Sequence, residues 1–228
     1  MQYDAVLFDN DGVLTTITDW HTLRSAVRTA FESVGVVDPD EEEVDAMLGT
    51  TAETVRTICR RYDVDPETFW RRRDEAAADT QIAAIETGEK QLYEDVGAID
   101  RLSVPRGIVS NNQDRTVKFI ASHFELTWAE VVYGRDPTPQ GIVRKKPNTY
   151  YLDRAMDALG TDPASERILY VGDSPKDLTA ARRAGIDAAF VRRDHRANET
   201  LPYEPAYEVT DLDELVRRLL EAESTTHD

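Results

Sequence analysis

Cysteine is nearly absent from this 228-residue chain, and the single thiol, Cys59, excludes an internal disulfide framework. Cys59 stands with Val55, Ile58 and Tyr62 at helical spacing, which predicts a buried structural thiol. Lysine is scarce too, with 5 against 22 arginines. No stretch approaches the roughly 18 consecutive apolar residues of a membrane span, and there is no internal repeat or low-complexity tract. The N-terminus lacks a charged region followed by a long apolar run, so a cytoplasmic location is expected.

What the chain has in excess is negative charge. Asp and Glu total 44 against 27 Lys plus Arg, a formal net charge of −17. Such a surface repels nucleic acid and anionic lipid, so neither is an expected partner. The acidic residues are dispersed rather than gathered in a tail, a pattern similar to proteins of salt-loaded cytoplasms. A halophilic protein, stabilised as salt screens its self-repulsion, is therefore expected. A hydrophobic fraction of 40% suffices for a packed core, and the length suits one large domain or a core with an insert.

The run Ala5-Val6-Leu7-Phe8 is short, wholly apolar and followed by Asp9-Asn10-Asp11-Gly12, as for a strand buried on both faces. Residues 106–110, 168–172 and 188–191 repeat the pattern, and 131–133 is a weaker instance. Helical patterns occupy 148–160, 175–184 and 211–222, the second with Pro175 at its first position and Gly185 at its end. Strands alternating with helices predict an α/β fold with a doubly wound, Rossmann-like parallel sheet. Between the first two strands stands an interruption of about 75 residues, far too long for an ordinary crossover. It is itself helical: Leu23, Val27, Ala30, Phe31 and Val34 form one stripe, and further helices are predicted at 40–48, 52–62 and 66–87. The expected organisation is a core of residues 1–16 and 92–228 with an α-helical cap of residues 17–91. The tail after Glu223 is expected to fray.

Four carboxylates fall where such a sheet would gather them. Asp9 and Asp11 follow the first strand, Asp173 ends a later one, and Asp177 lies one turn into the next helix. Anions packed at one sheet edge require a cation, and a hard oxygen-seeking ion such as Mg²⁺ suits them. Ser110 offers a hydroxyl at another strand end, and the amides of Asn111 and Asn112 are expected to open the following helix, where anions are favoured. Lys146, or its neighbour Lys145, can supply positive charge to a phosphoryl group. Ser110 also reads as a helix cap, and Asp177 as a complement to the helix dipole.

The ordered set Asp9-Asn10-Asp11-Gly12, Ser110-Asn111-Asn112, Lys146-Pro147 and Gly172-Asp173-Ser174-Pro175-Lys176-Asp177 is similar to the four motifs of the haloacid dehalogenase superfamily. The helical insert resembles the cap of its phosphoglycolate phosphatase and β-phosphoglucomutase branch. The resemblance implies a phosphoric monoester hydrolase in which Asp9 attacks phosphorus and Asp11 serves as acid and then base. It implies Mg²⁺ at Asp9, the Asp11 carbonyl and Asp173, with Asp177 nearby, and a phosphoryl group held by Ser110, Asn111 and Lys146. The implied partner is a small phosphorylated metabolite, phosphoglycolate among the candidates, with the protein a monomer or homodimer. Trp20, His21 and Arg56 are the cap residues singled out for substrate contact. Thr15-Thr16 depart from the acidic residue and Ser that relatives often carry there. Two rival readings are a phosphosugar mutase with the same nucleophile and a non-catalytic receiver-like module. Asp11 itself argues against dehalogenation, because a leaving halide needs no proton.

Overall fold

The computed structural model describes residues 3–224, so from residue 225 on the tail expected to fray lies outside them. Six strands form one parallel sheet: β1 (Ala5–Phe8), β2 (Arg106–Gln113), β3 (Val131–Arg135), β4 (Ile168–Gly172), β5 (Asp187–Val191) and β6 (Tyr207–Val209), in the order β3-β2-β1-β4-β5-β6. Alternation along β1 explains why its run is wholly apolar. Val6 and Phe8 pack with α5 (Asp114–His123) and α9 (Leu212–Ser224), whereas Ala5 and Leu7 pack with α7 (Tyr150–Leu159) and α8 (Pro175–Ala184). The chain leaves β1 for β2 and β3 on one side, then returns to β4 on the other. This reversal opens a crevice at the carboxyl ends of β1 and β4, where ligands bind in open α/β sheets.

Four helices are inserted between β1 and β2: α1 (Trp20–Ser33), α2 (Glu41–Ala46), α3 (Ala52–Arg61) and α4 (Pro66–Glu86). Their apolar faces make a separate cluster around Val27, Phe31, Met47, Ile58 and Phe69, which also takes in Cys59 and Ile142 of α6 (Pro139–Arg144). The two crossings between this cap and the core run side by side. Thr15 bridges Leu92, the Thr16 amide donates to Gln91 O (2.9 Å), and the Tyr93 amide donates to Leu14 O (2.9 Å). Thr15 and Thr16 thus belong to the crossings, where their hydroxyls accept from Asn10 Nδ2 and the Gln91 amide.

Two local expectations change. β2 does not stop at Ser110 but runs to Gln113 with a shift of register after Val109, and the next helix opens at Asp114 rather than at Asn111. The three-residue edge strand β6 carries too short a pattern to be read as a strand in advance. Among the described residues, no helix is long and apolar enough to cross a membrane.

Candidate active site

Three of the four singled-out carboxylates converge. Asp9 leaves β1, Asp173 leaves β4, and Asp177 stands in the first turn of α8; oxygens of all three lie within 4.8 Å of one another, and all three are buried. Close backbone approach makes this possible. Gly12 has φ +81°, and a Cβ there would fall 2.3 Å from Asp173 Oδ2; a Cβ on Gly172 would meet Cβ of Asp177 at 2.3 Å. Asp177 is also fixed by the helix it opens, because its Oδ2 accepts from the Ser174 amide (3.0 Å) and hydroxyl (2.6 Å) in a capping box around Pro175.

A buried lysine sits inside this cluster. Lys146, only 2% exposed, places Nζ 2.9 Å from Asp9 Oδ1 and 2.7 Å from Asp177 Oδ1, and also contacts the Tyr170 hydroxyl. Asn111 clamps its backbone: Oδ1 accepts from the Lys146 amide (2.7 Å) and Nδ2 donates to its carbonyl (3.1 Å). One lysine does not balance three carboxylates. Burial, reinforced by Asp177 and Asp173, pushes Asp9 up to about 8 although Lys146 draws it down. Asp173 is raised by burial and Asp177 despite His195 Nε2 at 2.7 Å and Arg196 Nε at 3.2 Å. Buried hard oxygens carrying surplus negative charge fit a divalent cation such as Mg²⁺.

Asp11 stands apart. Its Oδ1 pairs with the buried Lys90 and its Oδ2 accepts from Asn112 Nδ2 (2.8 Å). Burial alone would raise its pKa, but Lys90 and the hydrogen bonds from Lys90, Asn112 and Asn10 prevail and hold it below the ordinary carboxylate value. Ser110 is buried beside the cluster, its Oγ accepting from the Asn112 amide (3.2 Å).

Residues 6–191 match the family model of the haloacid dehalogenase-like hydrolases. The chain belongs to that family. Over 195 residues it is 28% identical to an N-acetylmuramic acid 6-phosphate phosphatase of Pseudomonas aeruginosa, covering 84% of this chain and 83% of that one. A phosphoglycolate phosphatase of the same organism is 26% identical over 192 residues, covering 81% and 67%. The crystal structure of CbbY from Rhodobacter sphaeroides in complex with phosphate superimposes with a TM-score of 0.68 at 21% identity, over 93% and 96% of the two chains. That likeness extends the family fold to nearly the whole chain.

In this haloacid dehalogenase-like hydrolase, two cavities meet over the sheet edge. One, of about 430 Å³, is lined by Asp9, Ser110, Asp173 and Asp177. The other, of about 360 Å³, lies between cap and core; Asp11, Ile17, Asn111, Asn112 and Lys176 line both. The cap residues singled out from the sequence are elsewhere. Trp20 is 54% exposed, His21 is exposed, and Arg56 lines two other clefts, one of them shared with residues 137–140. The cap instead presents Leu48, Thr50, Trp70, Arg73 and Gln81 to the cavity. Helical periodicity defines an apolar face but not which end of the helix overhangs the sheet. Lysine scarcity would have been the better guide, since Lys90, Lys145, Lys146 and Lys176, four of five, line these cavities or pair with Asp9 or Asp11.

Proposed function

We propose that the protein is a Mg²⁺-dependent phosphatase that hydrolyses a small phosphate monoester through an aspartyl-phosphate on Asp9. The observation that carries this reading is the isolation of one oxygen. Asp9 Oδ1 is taken up by Lys146 Nζ (2.9 Å) and the Asn10 amide (2.8 Å), which leaves Oδ2 to attack. The new bond joins Oδ2 to phosphorus, the ester oxygen departs with its electron pair, and a proton reaches it from the Asp11–Lys90 pair. In the second half Asp11 takes a proton from water as the water oxygen attacks phosphorus and the Asp9 carboxylate is released, which returns to the Asp11–Lys90 pair the proton it gave to the leaving group. Ser110 and Lys146 hold the phosphoryl oxygens, while Asn111 acts by fixing Lys146. Asp9, the Asp11 carbonyl and Asp173 would hold Mg²⁺, with Asp177 behind them; the ion supplies charge neutralisation of the phosphoryl group. The family and the phosphatases among its relatives support this reading.

The two aspartates are separated by leaving group. Asp9→Asn should lose roughly 10⁴-fold or more with every ester, as removal of a nucleophile does. Asp11→Asn should lose roughly 10²–10⁴-fold on alkyl phosphates, whose alkoxide needs a proton. On an aryl phosphate it should give a burst of phenolate matching enzyme concentration, then slow turnover. Equal losses on both ester types, with no burst and no trapped phosphoenzyme, would remove Asp11 from the acid/base role.

A further inference from the structure

At the cap end of the cavity the charge balance is reversed. Arg73 of α4 and Arg135 at the end of β3 share a single buried carboxylate, Asp74, and Lys145 lines the same cavity. Arg135 takes that carboxylate in a fork, Nη1 to Oδ2 at 2.8 Å and Nη2 to Oδ1 at 2.7 Å. Arg73 is left with poor partners: Asp74 Oδ1 at 3.3 Å, Met47 O at 3.4 Å, and no partner for its buried Nε. Both guanidinium groups lie against the Trp70 ring, 5.0 and 4.9 Å from its centroid. Lys145 Nζ donates to a carbonyl, Thr50 O at 3.0 Å, and not to a carboxylate. Three cations around one carboxylate leave about two positive charges in a largely desolvated place, in a chain whose net charge is −17. Asp11 does not offset them, because Lys90 already neutralises it.

From this juxtaposition we infer that Arg73, Arg135 and Lys145 form an anion subsite at the cap–core boundary, and that the preferred phosphate monoester carries a second anionic group that docks there. The inference rests on the phosphatase reading for the identity of the first group. The shared lining of the two cavities lets one molecule reach both ends, with its phosphate at Asp9 and its second anion under Trp70. Carboxylate and phosphate are both planar or trigonal oxyanion faces that a guanidinium fork and an ammonium recognise. The positive field of the place is also felt by Lys145, which burial, Arg135, Lys176 and Arg73 lower to about 8. Arg73 is likewise lowered, by burial and then by Arg135. A bound anion relieves both.

Binding to the full-length Asp9→Asn protein with Mg²⁺, measured by titration calorimetry, tests this without turnover. Phosphoglycolate is compared with ethyl phosphate, and glucose 1,6-bisphosphate with glucose 1-phosphate, so that carboxylate and phosphate are separate arms. At least one member with a second anion should bind ~10-fold tighter than its neutral counterpart, as for a charge-assisted contact. That ratio should fall toward one when Arg73→Gln or Lys145→Gln is added; if Arg73→Gln does not fold, Lys145→Gln decides. Ratios near one in both pairs, or ratios unchanged by the added substitutions, overturn the subsite. The catalytic reading fails separately, if the unsubstituted protein with Mg²⁺ does not turn over an aryl phosphate while the binding ratio persists.

Discussion

The two ends of the cavity are near mirror images in charge. At the sheet edge Asp9 and Asp177 hold one lysine, Lys146, with Asp173 beside them; under the cap Arg73 and Arg135 share one carboxylate, Asp74, with Lys145 on the same cavity. Each end contains a well-made pair and a remainder. Lys146 binds two carboxylates and leaves Asp173 to His195 and Arg196, which do not cancel its burial. Arg135 satisfies Asp74 in a fork and leaves Arg73 and Lys145 without comparable partners. Buried charge left unpaired costs several kcal/mol per ion, a cost that a partner of opposite charge offsets. The difference lies in what each remainder asks for: a hard cation at the sheet edge, an oxyanion under the cap.

The largest effect should come from withdrawing the cation. Exhaustive chelation is expected to abolish turnover and Mg²⁺ to restore it, while Ca²⁺ binds with looser coordination and supports turnover poorly. Because the ion completes folded carboxylates, Mg²⁺ at about 100 times its Kd should also add ~2.7 kcal/mol of stability. The Asp173→Asn protein should lack that shift. Undiminished rates in chelator would break the comparison at its anionic end.

The cap end responds next. Asp74→Asn strips the one counter-charge from Arg73 and Arg135 and should cost ~3 kcal/mol in denaturant unfolding, the range for breaking a buried pair. A ligand with a second anion should restore more of that loss than its neutral counterpart does. A loss below ~1 kcal/mol would mean that the cations are solvated and the two ends are not alike.

These two ends differed in how far the sequence revealed them. The carboxylate end rests on contiguous signals, Asp9 to Gly12 and Gly172 to Asp177, each at the close of an apolar run, so strand topology alone brings them together. Asn111 was equally visible, but its role was not. The shift of register in β2 carries the strand past it and turns its amide onto the backbone of Lys146. The cationic end draws Arg73 from a cap helix, Arg135 from the end of β3 and Lys145 from the residue before the motif lysine. No short pattern links them, and 22 arginines hide two. Their meeting depends on how α4 overhangs β3, which helical periodicity leaves open. Lys90 was missed for the same reason, since it reaches Asp11 only because the two cap crossings lie side by side.

The smallest effect is the most specific to the cationic end. Lys145 has its pKa lowered from the ordinary 10.5 to about 8 by burial, with Arg135, Lys176 and Arg73 adding to it. A lysine depressed in the folded state binds fewer protons there than in the unfolded chain between those two values, so its contribution to stability rises with pH across that window. Below about 8 the penalty for burying the charge is full and constant; above it the folded side chain is neutral, and the penalty shrinks toward 10.5. Lys145→Met removes the penalty at every pH. The stability of the variant relative to the unsubstituted protein should therefore be flat from pH 6 to about 8, then decline by up to ~1.4 kcal/mol per pH unit. For a chain of this size that is ~3 °C per unit in the thermal midpoint. Loss of the hydrogen bond to Thr50 O offsets the whole curve but not its slope. Parallel profiles for the two proteins between pH 8 and 10 would mean that Lys145 is depressed neither by burial nor by the neighbouring cations. Saturation with the preferred ligand of Asp9→Asn should move the onset of the decline to higher pH, because a second anion beside Lys145 favours its charged form.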